Sequence, residues 1–452
     1  MTKRRRNKNE KGRRRAPTIP HSEPISGTHD EIEQESNPVK RFFKLLGPGL
    51  ITGASDDDPS GIGTYSAAGA SLGYTTLWTA IVTLPLMAVV QFVCAKIGLV
   101  TGRGLAGVLR HHYSRKLLYP AVLLLLIANT INAGTDIGAI AAGINLLIPV
   151  PISVIIVPIA VIIVALQIWQ SYRQIASIFK WLTLSLFAYV AAAFLAKPDW
   201  DQVLRATVIP QLRFDHEYLL TLVAILGTTI SPYLFFWQAS QEVEEEVSKG
   251  RKKLEQRKGV SDAELNQAKW DTIAGMIFCN VVFYFVILAS GATLHASGKT
   301  DIQSATDAAE ALRPFAGSAA TILFAVGIIG AGVLAVPVLT GSSAYAVAET
   351  FGWKYGLDTK PHEAKQFYAV IAISTLIGIL IDFLGINPMT ALFWTAVING
   401  LLAPPLLVVI MFVSNNQKVM GDKVNGWFTN IVGWTATAIM FAAAIGLIVT
   451  WK

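Results

Sequence analysis

Charged residues are scarce in this sequence. Only 15% of the 452 residues are Asp, Glu, Lys or Arg, whereas 53% are hydrophobic. A soluble domain carries about 25% charged residues, so this chain has too few of them to cover a water-facing surface. Apolar runs recur along it, each fitting a membrane-spanning helix of about 20 residues. The alternating segments of about 10 residues that build a membrane β-barrel are lacking. We therefore expect an all-α integral membrane protein.

Cysteine is also rare, since the chain has only Cys94 and Cys279. Both lie in apolar runs, without the spacing of a metal site or a disulfide framework, so buried free thiols are expected. Residues 1–44 lack the apolar core of a signal peptide and carry basic clusters at 3–6 and 11–15. We expect a disordered cytosolic tail beside anionic lipid rather than a nucleic-acid-binding arm.

About eleven membrane-spanning helices are predicted within a transporter domain of residues 45–450. Loops on one side of these spans hold most of the Lys and Arg, including Arg173, Lys180 and the segment 249–258. The positive-inside rule then predicts a cytosolic N-terminus, and an odd number of spans predicts an external C-terminus. The expected location is the cell (inner) membrane. The predicted spans are approximately 47–71, 75–100, 117–147, 151–169, 175–196, 218–240, 271–294, 318–349, 366–385, 388–413 and 428–450.

The first and sixth predicted spans are interrupted by prolines near mid-membrane, Pro59 and Pro232. Proline removes a helix hydrogen bond and pushes the preceding residue toward an extended conformation, so both helices should break. Unpaired backbone is tolerated in a membrane only where it is buried in protein or lines a cavity. The two breaks lie five spans apart, which predicts an inverted-topology repeat with a site between the breaks. The predicted units are repeat one (45–197), repeat two (215–414) and an extra helix (428–450).

Acidic residues at the first break are the main candidates for chemistry. A central Asp costs roughly 2.5–3.5 kcal/mol to insert into a membrane, and the membrane interior offers no Lys or Arg as a partner. Asp58 directly precedes Pro59, so its carboxylate and the freed carbonyls could face a cation together. Asp57 is a second candidate ligand, although Asp56 and Asp57 could instead lie near a watery vestibule. Hard divalent cations prefer such oxygen ligands.

The second break offers hydroxyl groups on Thr228, Ser231 and Tyr233, together with carbonyls freed by Pro232. The sequence at this break contains no thiolate, thioether or imidazole. The predicted ligands are therefore all oxygens, which suits Mg²⁺, Ca²⁺ or Mn²⁺. Hydrogen bonding of the hydroxyls back to the helix is the alternative, especially for Thr229.

Other intramembrane polar residues could line the cavity or join helices. Asp136 shares a helix face with Asn129 and Asn132, where it could relay protons or anchor a structural network. Gln238 and Asn399 could face the cavity, or they could pack between helices. Solvent exposure is predicted for two further acidic features, which are Asp382 and the run Glu242, Glu244, Glu245 and Glu246.

At these positions the sequence resembles the NRAMP family of divalent metal transporters. The resemblance covers roughly residues 40–450 and includes Asp58-Pro59-Ser60-Gly61, and its motifs are specific by position. It implies the inverted-repeat fold of amino-acid transporters, a LeuT-type 5+5 repeat with broken helices 1 and 6, plus one helix. The matching stretches are 47–61, 98–102, 135–147 and 227–233.

Departures from the NRAMP pattern concern the metal and the proton. Gly61 stands where the family has Asn, Ser231 where it has Met, and Thr228 at the family's sixth-helix Ala. Asn129 and Ala139 stand where proton-coupled members have acids around the Asp that matches Asp136, and the ninth helix lacks their arginines. These departures resemble the NRAMP-related magnesium transporter branch. They imply transport of hydrated Mg²⁺, and also Mn²⁺, with weak or no proton coupling.

Three alternatives follow from the same residues. A proton-coupled Mn²⁺/Fe²⁺ transporter of the NRAMP type is the nearest, and a sodium-coupled transporter of small organic substrates would share the fold. An intramembrane aspartyl protease using Asp58 and Asp136 is a third, but the Gly-x-Gly-Asp signature is missing. We therefore expect a transporter, not an enzyme, with no cofactor beyond the transported ion. The expected partners are that ion and the lipid bilayer, with no nucleic acid, and the expected state is a monomer.

Overall fold

The computed structural model describes residues 47–169, 184–302, 304–357 and 359–451. Every regular element in these residues is a helix. Short 3-10 helices lie at Leu184–Phe187, His295–Ser297, Glu310–Leu312, Gly317–Ala319 and Leu380–Leu384. The α-helices are α1 (Pro48–Asp56), α2 (Pro59–Leu72), α3 (Trp78–Thr101), α4 (Leu105–His112), α5 (Arg115–Leu147), α6 (Ile152–Trp169), α7 (Ala188–Leu195), α8 (Trp200–Val208), α9 (His216–Thr229), α10 (Pro232–Ser248), α11 (Leu254–Arg257), α12 (Asp262–Thr293), α13 (Ala305–Ala309), α14 (Arg313–Ala316), α15 (Ala320–Phe351), α16 (Lys365–Ile379), α17 (Pro388–Ser414), α18 (Gln417–Met420) and α19 (Trp427–Thr450).

Nine helical segments in the described ranges are long and apolar enough to cross a membrane. The broken first span, α1 and α2, falls short of this criterion because the three consecutive acids Asp56, Asp57 and Asp58 interrupt its apolar residues. The fifth predicted span lies partly outside the described residues, as do the tail 1–44, Arg173 and Lys180. With the first and fifth spans added, the segments agree with the predicted number of about eleven. The nine are Trp78–Thr101, Arg115–Leu147, Ile152–Trp169, His216–Ser248, Asp262–Ser297, Ala305–Phe351, Lys365–Leu384, Pro388–Ser414 and Trp427–Thr450.

Both predicted helix breaks are present. Asp57 and Asp58 separate α1 from α2, and Ile230 and Ser231 separate α9 from α10. A proline is the first residue of α2 and of α10, where its missing N–H breaks no helical bond and its fixed φ suits a helix start. The breaks thus expose the carbonyl ends of α1 and α9 and the N–H ends of α2 and α10.

Helix packing is exchanged between the two halves of the chain. The broken pair α1 and α2 packs against α12, and α10 of the second broken pair packs against α3. Each broken helix therefore lies against the second helix of the other half. The third helices of the halves, α5 and α15, pack against each other over an extensive contact. This exchange is typical of an inverted repeat and confirms the predicted fold class, while the exact repeat boundaries stay predictions.

Glycines allow several helices to approach to backbone contact. A Cβ on Gly53 of α1 would lie less than 3.0 Å from the carbonyl oxygen of Gly275 in α12. A Cβ on Gly134 of α5 would lie equally close to the carbonyl oxygen of Gly378 in α16. A methyl group does not fit at either position. Small residues at close helix crossings are typical of membrane proteins, and here they fix α1 against α12.

The start of α1 is held by a buried carboxylate from α12. Asp271 accepts the backbone N–H groups of Gly47 at 2.8 Å, Gly49 at 2.7 Å and Leu50 at 3.3 Å. These N–H groups have no partner within the helix, and the positive end of the helix dipole favours an acid there. Helix α12 therefore fixes the position of α1, and hence of the first break, through the glycine contact and through the Asp271 carboxylate.

The prediction that Asp382 is solvated is wrong. Asp382 lies in the 3-10 turn after α16, and its side chain is half-buried against Gly138 of α5. Its Oδ2 atom is buried and has no hydrogen-bond partner among the described residues. The sequence position near a helix end suggested exposure, but the missing side chain of Gly138 leaves space that this carboxylate occupies.

Candidate functional site at the paired helix breaks

Asp58 lies at the first break, and its carboxylate accepts four hydrogen bonds. Oδ1 accepts the backbone N–H of Gly61 at 2.6 Å and the hydroxyl of Ser60 at 2.9 Å. Oδ2 accepts the amide of Asn132 at 3.1 Å and the hydroxyl of Tyr233 at 3.3 Å. Asp58 is the N-cap of α2, so free N–H groups and the helix dipole hold the carboxylate in place. The residue is 1% exposed.

Asp56 and Asp57 are buried as well, each with 2% exposure. Asp56 ends α1, and its Oδ2 accepts the thiol of Cys279 at 3.2 Å. Its Oδ1, and Oδ2 of Asp57, have no hydrogen-bond partner among the described residues. The alternative of a watery vestibule for these two acids does not agree with this burial. No thiol was expected near the acids, and Cys279 is one that sequence spacing could not place, because it is 223 residues from Asp56.

The hydroxyls of the second break adopt different roles. Ser231 donates to the carbonyl oxygens of Thr228 at 2.7 Å and Gly227 at 3.1 Å, so its hydroxyl partly satisfies the end of α9. Thr229 bonds back to the carbonyl of Ile225 at 2.8 Å, as the alternative for this residue predicts. The Thr228 hydroxyl is buried without a partner among the described residues. Thr228 is therefore the hydroxyl at this break that is available to a ligand.

Tyr233 and Gly61 bring the two breaks together. The hydroxyl of Tyr233, in α10, reaches both the Ser55 carbonyl and Asp58, each at 3.3 Å. A Cβ on Gly61 would lie 3.1 Å from Thr228 Oγ1 and 3.3 Å from Asp58 Oδ1. Gly61 therefore leaves open the space between the Asp58 carboxylate and the Thr228 hydroxyl, which larger side chains would fill.

Helix α5 contributes Asn132 and Asp136 to the surroundings of the first break. Asn132 donates to Asp58, while its own Oδ1 is buried without a partner in the described part of the chain. Asp136, one turn further along, lies near the backbone of Ser60 without a hydrogen bond of ordinary geometry. Asn132 was predicted only as a member of a polar face. The four-residue spacing from Asp136 is the signal that could have identified it as a site residue.

Asn129 lies one turn before Asn132 and faces α15 instead. Its amide donates to the carbonyl of Leu339 at 3.0 Å and to the hydroxyl of Ser343 at 3.1 Å. These contacts agree with polar packing between helices. Asn399 of α17 is also buried, and neither of its amide atoms has a partner among the described residues. It lies beside Gly400, which packs closely on α9 at Gly227, so Asn399 stays a candidate for the cavity.

Gln238 points along α10, away from the second break. Its amide donates to Glu242 at 2.8 Å, one turn further along the helix. The prediction of a solvated face for the acidic run is wrong at Glu242 and Glu246, which are both buried. Glu246 forms an ion pair with Arg251. Helix α10 packs on α3, with Gly98 of α3 against the Ala239 carbonyl one turn before Glu242, so α10 is less exposed than its charges alone suggested.

The acids of the break have no positively charged partner in the described part of the chain. The ion pairs found there involve other acids, and none includes Asp56, Asp57, Asp58 or Asp136. The same residues contain no ready-made group of three His, Cys, Asp or Glu side chains that could hold a metal. The arrangement is instead a group of buried acids with neutral oxygens around it, which is short of positive charge.

Replacing Asn132 by Ala should raise the concentration of divalent ion needed for half-maximal uptake by about tenfold. The substitution removes a donor to the Asp58 carboxylate and an unpartnered oxygen, and a hydrogen bond to a charged group contributes about 1.5–3 kcal/mol. The measurement is concentration-dependent Mn²⁺ uptake into proteoliposomes. Asn129→Ala is the matched control, because that amide bonds to α15, and its half-saturation should change less than about twofold. Equal effects of the two variants would contradict the assignment of Asn132.

Comparisons with known proteins agree with this architecture. The divalent metal cation transporter MntH of Klebsiella pneumoniae is 26% identical over 429 residues, which cover 93% of this chain and 98% of that protein. A manganese transporter of Eremococcus coleocola, solved with an aromatic bis-isothiourea compound, superposes with a TM-score of 0.73 at 18% identity, covering 92% of this chain and 88% of that one. Mhp1, a nucleobase-cation-symport-1 family transporter, superposes with a TM-score of 0.53 at 14% identity, covering 90% and 92%.

The two superpositions establish a shared fold, in agreement with the exchanged packing of the broken helices. A family model described as natural resistance-associated macrophage protein-like matches residues 49–450, which include both breaks and every helix from α2 to α19. The chain therefore belongs to the NRAMP family.

Proposed function

We propose that this protein carries divalent metal cations across the membrane and that the ion binds between the two helix breaks. One observation carries the proposal: buried oxygen atoms without hydrogen-bond partners surround a carboxylate that has no cationic partner in the described residues. A bound cation would both coordinate the unpartnered oxygen atoms and balance the charge of the carboxylate. The names of two relatives support this reading, since one is a divalent metal cation transporter and the other a manganese transporter.

The proposed ligands are the carboxylate of Asp58 and the hydroxyl of Thr228, with Asp57 as a further acid. Gly61 leaves the intervening space open, and Ser231 and Tyr233 shape the opposite wall. Tyr233 contacts the Ser55 carbonyl near the end of α1, and Gly61 lies next to Thr228 near the end of α9, so the negative ends of both helix dipoles border this space. In a metal-bound state, Asn132 could turn its free Oδ1 toward the ion. Asp136, one turn from Asn132 on α5, is proposed as a proton acceptor or a structural acid next to these ligands.

The proposed substrates are hydrated Mg²⁺ and also Mn²⁺, as in the magnesium-transporting branch of the family. Mg²⁺ gives up its water reluctantly and usually keeps several bound molecules. Gly61 and Ser231 are small, so they leave space for such water next to Asp58 and Thr228. The set at the two breaks has no thioether, which is the ligand that would favour softer metals.

Transport is proposed to proceed by alternating access around a fixed site. Asp58, Thr228 and Tyr233 are all almost completely buried, which corresponds to a closed state between the two open ones. Movement of one repeat against the other would expose the site to each side in turn. The N-terminus is proposed to be cytosolic and the C-terminus external, in a monomer of the cell membrane.

Metal uptake with simultaneous recording of lumenal pH tests this function. In proteoliposomes, both Mg²⁺ and Mn²⁺ should enter without a stoichiometric acidification of the lumen, because Asn129 and Ala139 give Asp136 no acidic relay. Acidification that tracks Mn²⁺ uptake, with no Mg²⁺ uptake, would favour the proton-coupled Mn²⁺/Fe²⁺ alternative. A lack of uptake of any divalent ion, with sodium-dependent uptake of organic substrates, would favour a transporter of Mhp1-like substrates.

Ser231→Met should raise the ratio of Cd²⁺ to Mg²⁺ transport by about tenfold, which corresponds to ~1.4 kcal/mol. The thioether adds a soft ligand and occupies space needed for water. The ratio is measured by competition in protein without Cys94 and Cys279, so that no thiol contributes. Ser248→Met, at the exposed end of α10, is the control. An unchanged ratio in Ser231→Met would mean that this position does not face the ion.

A further inference from the structure

Cys279 and Asp56 form a thiol–carboxylate pair beside the proposed transport site. The Cys279 sulfur lies 3.2 Å from Asp56 Oδ2 and 3.3 Å from the carbonyl oxygen of Met276. Both side chains are at most 2% exposed. The pair joins the end of α1 to α12, and Asp56 lies two residues before Asp58 in the sequence. Neither residue has a role in the binding of Mg²⁺ or Mn²⁺ proposed above.

Two observations distinguish this cysteine from an ordinary buried thiol. The second oxygen of Asp56 is buried and has no hydrogen-bond partner among the described residues. Carboxylate oxygens in this condition point to a missing ligand. The other cysteine, Cys94, lies in the apolar core, and no hydrogen bond to it is found in the described ranges. It provides a natural comparison within the same protein.

We propose that Asp56 and Cys279 form a second cation site, which binds soft divalent ions such as Cd²⁺ or Zn²⁺. Thiolate sulfur selects such ions over Mg²⁺, which prefers oxygen. A tetrahedral zinc ion with its usual bond lengths would hold sulfur and oxygen roughly 3.6 Å apart. The observed separation of 3.2 Å therefore needs only a few tenths of an ångström of movement.

Further ligands are available without rearrangement of the helices. The free Asp56 oxygen and the Met276 carbonyl are oxygen donors next to the thiol, and water can complete the coordination. On binding, the metal takes the place of the thiol proton, which leaves to water when the transporter opens. Two protein side chains make this an open site, in agreement with the absence of a three-residue cage in the described residues.

A soft ion in this site would inhibit transport. Because the divalent ion replaces one thiol proton, it would add one net positive charge within two residues of Asp58 and lower the affinity of the transport site by repulsion. It would also hold α1 against α12. Because α1 forms half of the first break, this would restrict movement of the transport site. The inference concerns binding at Cys279 and stays testable whichever metal the protein transports.

Cd²⁺ binding to single-cysteine variants tests the proposal directly. The Cys94→Ser protein retains Cys279 alone, and the Cys279→Ser protein retains Cys94 alone. Detergent-purified samples of both are titrated with Cd²⁺ under reducing conditions while the ultraviolet Cd–thiolate charge-transfer band is recorded. The band should appear with one equivalent of Cd²⁺ in Cys94→Ser and should be missing in Cys279→Ser. A band in both variants or in neither would overturn the proposal.

The carboxylate is tested separately. Asp56→Asn in the Cys94→Ser background should weaken Cd²⁺ binding by about tenfold or more, since it removes a charged ligand. Unchanged Cd²⁺ affinity would overturn the pairing of Asp56 with Cys279. Each variant is first checked for a monodisperse gel-filtration profile. If Cys279→Ser fails this check, the Asp56→Asn comparison decides the question, because its protein retains the thiol.

Discussion

Asp58→Asn and Asp58→Ala should each reduce uptake of Mg²⁺ and Mn²⁺ to background, while the protein still purifies as a folded particle. Asp58 is the carboxylate fixed between the breaks, and the other groups proposed around the ion are mostly neutral. Without it, a doubly charged ion would have to leave water for neutral dipoles and the less firmly held Asp57, and the desolvation cost makes this unfavourable. Because Asn can still cap α2, a loss of transport in Asp58→Asn would result from the loss of charge and not from a damaged helix start.

Asp215→Asn is the matched control for this experiment. Asp215 is the N-cap of α9 as Asp58 is the N-cap of α2, but its side chain is 44% exposed and lies outside the site. Its uptake rate should stay within about twofold of wild type. Asp56→Ala and Asp57→Ala should reduce transport less than Asp58→Ala. Normal transport by Asp58→Ala, with loss in either neighbour, would show that the ion binds elsewhere.

Gly53→Ala should lower the apparent melting temperature of the detergent-purified protein by about 5 °C or more. The added methyl group would meet the backbone of Gly275 at less than 3.0 Å, and a backbone atom cannot rotate away as a side chain does. Helix α1 would have to move from α12, which would displace the first break and also reduce metal uptake. Thermal gel filtration, with uptake measured in parallel, gives both readouts.

Gly446→Ala in α19 is the control for this substitution. Its Cβ would lie 3.5 Å from a Leu219 methyl carbon, which is an ordinary contact, and Ala is the better helix former. Its melting temperature should change by no more than about 1 °C. If Gly53→Ala has the same melting temperature as the wild-type protein, then α1 and α12 are not in backbone contact.

The helix breaks could be predicted from the sequence because their cause is local. Pro59 and Pro232 each interrupt the hydrogen bonding of the preceding turn, and the carboxylate of Asp58 immediately before the first proline is then the natural N-cap of α2. The inverted repeat followed from the spacing of the two breaks. These features depend on neighbouring residues and on chain order, and both are visible in the sequence.

The contacts between distant segments could not be predicted in the same way. Cys279 reaches Asp56 only because glycines bring α1 and α12 into contact. The burial of Glu242 results from the packing of α10 on α3, whereas its charge suggested exposure. Ser231 looked available to the ion, but its hydroxyl donates to the Thr228 carbonyl. A serine hydroxyl can face a cavity or bond back to its own helix, and the residue type alone does not decide between them.

The position of a bound Mn²⁺ ion decides whether the metal binds between the two helix breaks. Anomalous diffraction from crystals grown with saturating Mn²⁺ locates the ion without reference to transport. We expect a peak between the two breaks, within about 5 Å of the Asp58 carboxylate, which is the reach of a direct bond or of one bridging water. This peak should disappear in Asp58→Asn crystals. A peak away from both breaks, or one that persists in Asp58→Asn, would show that the ion does not bind at Asp58.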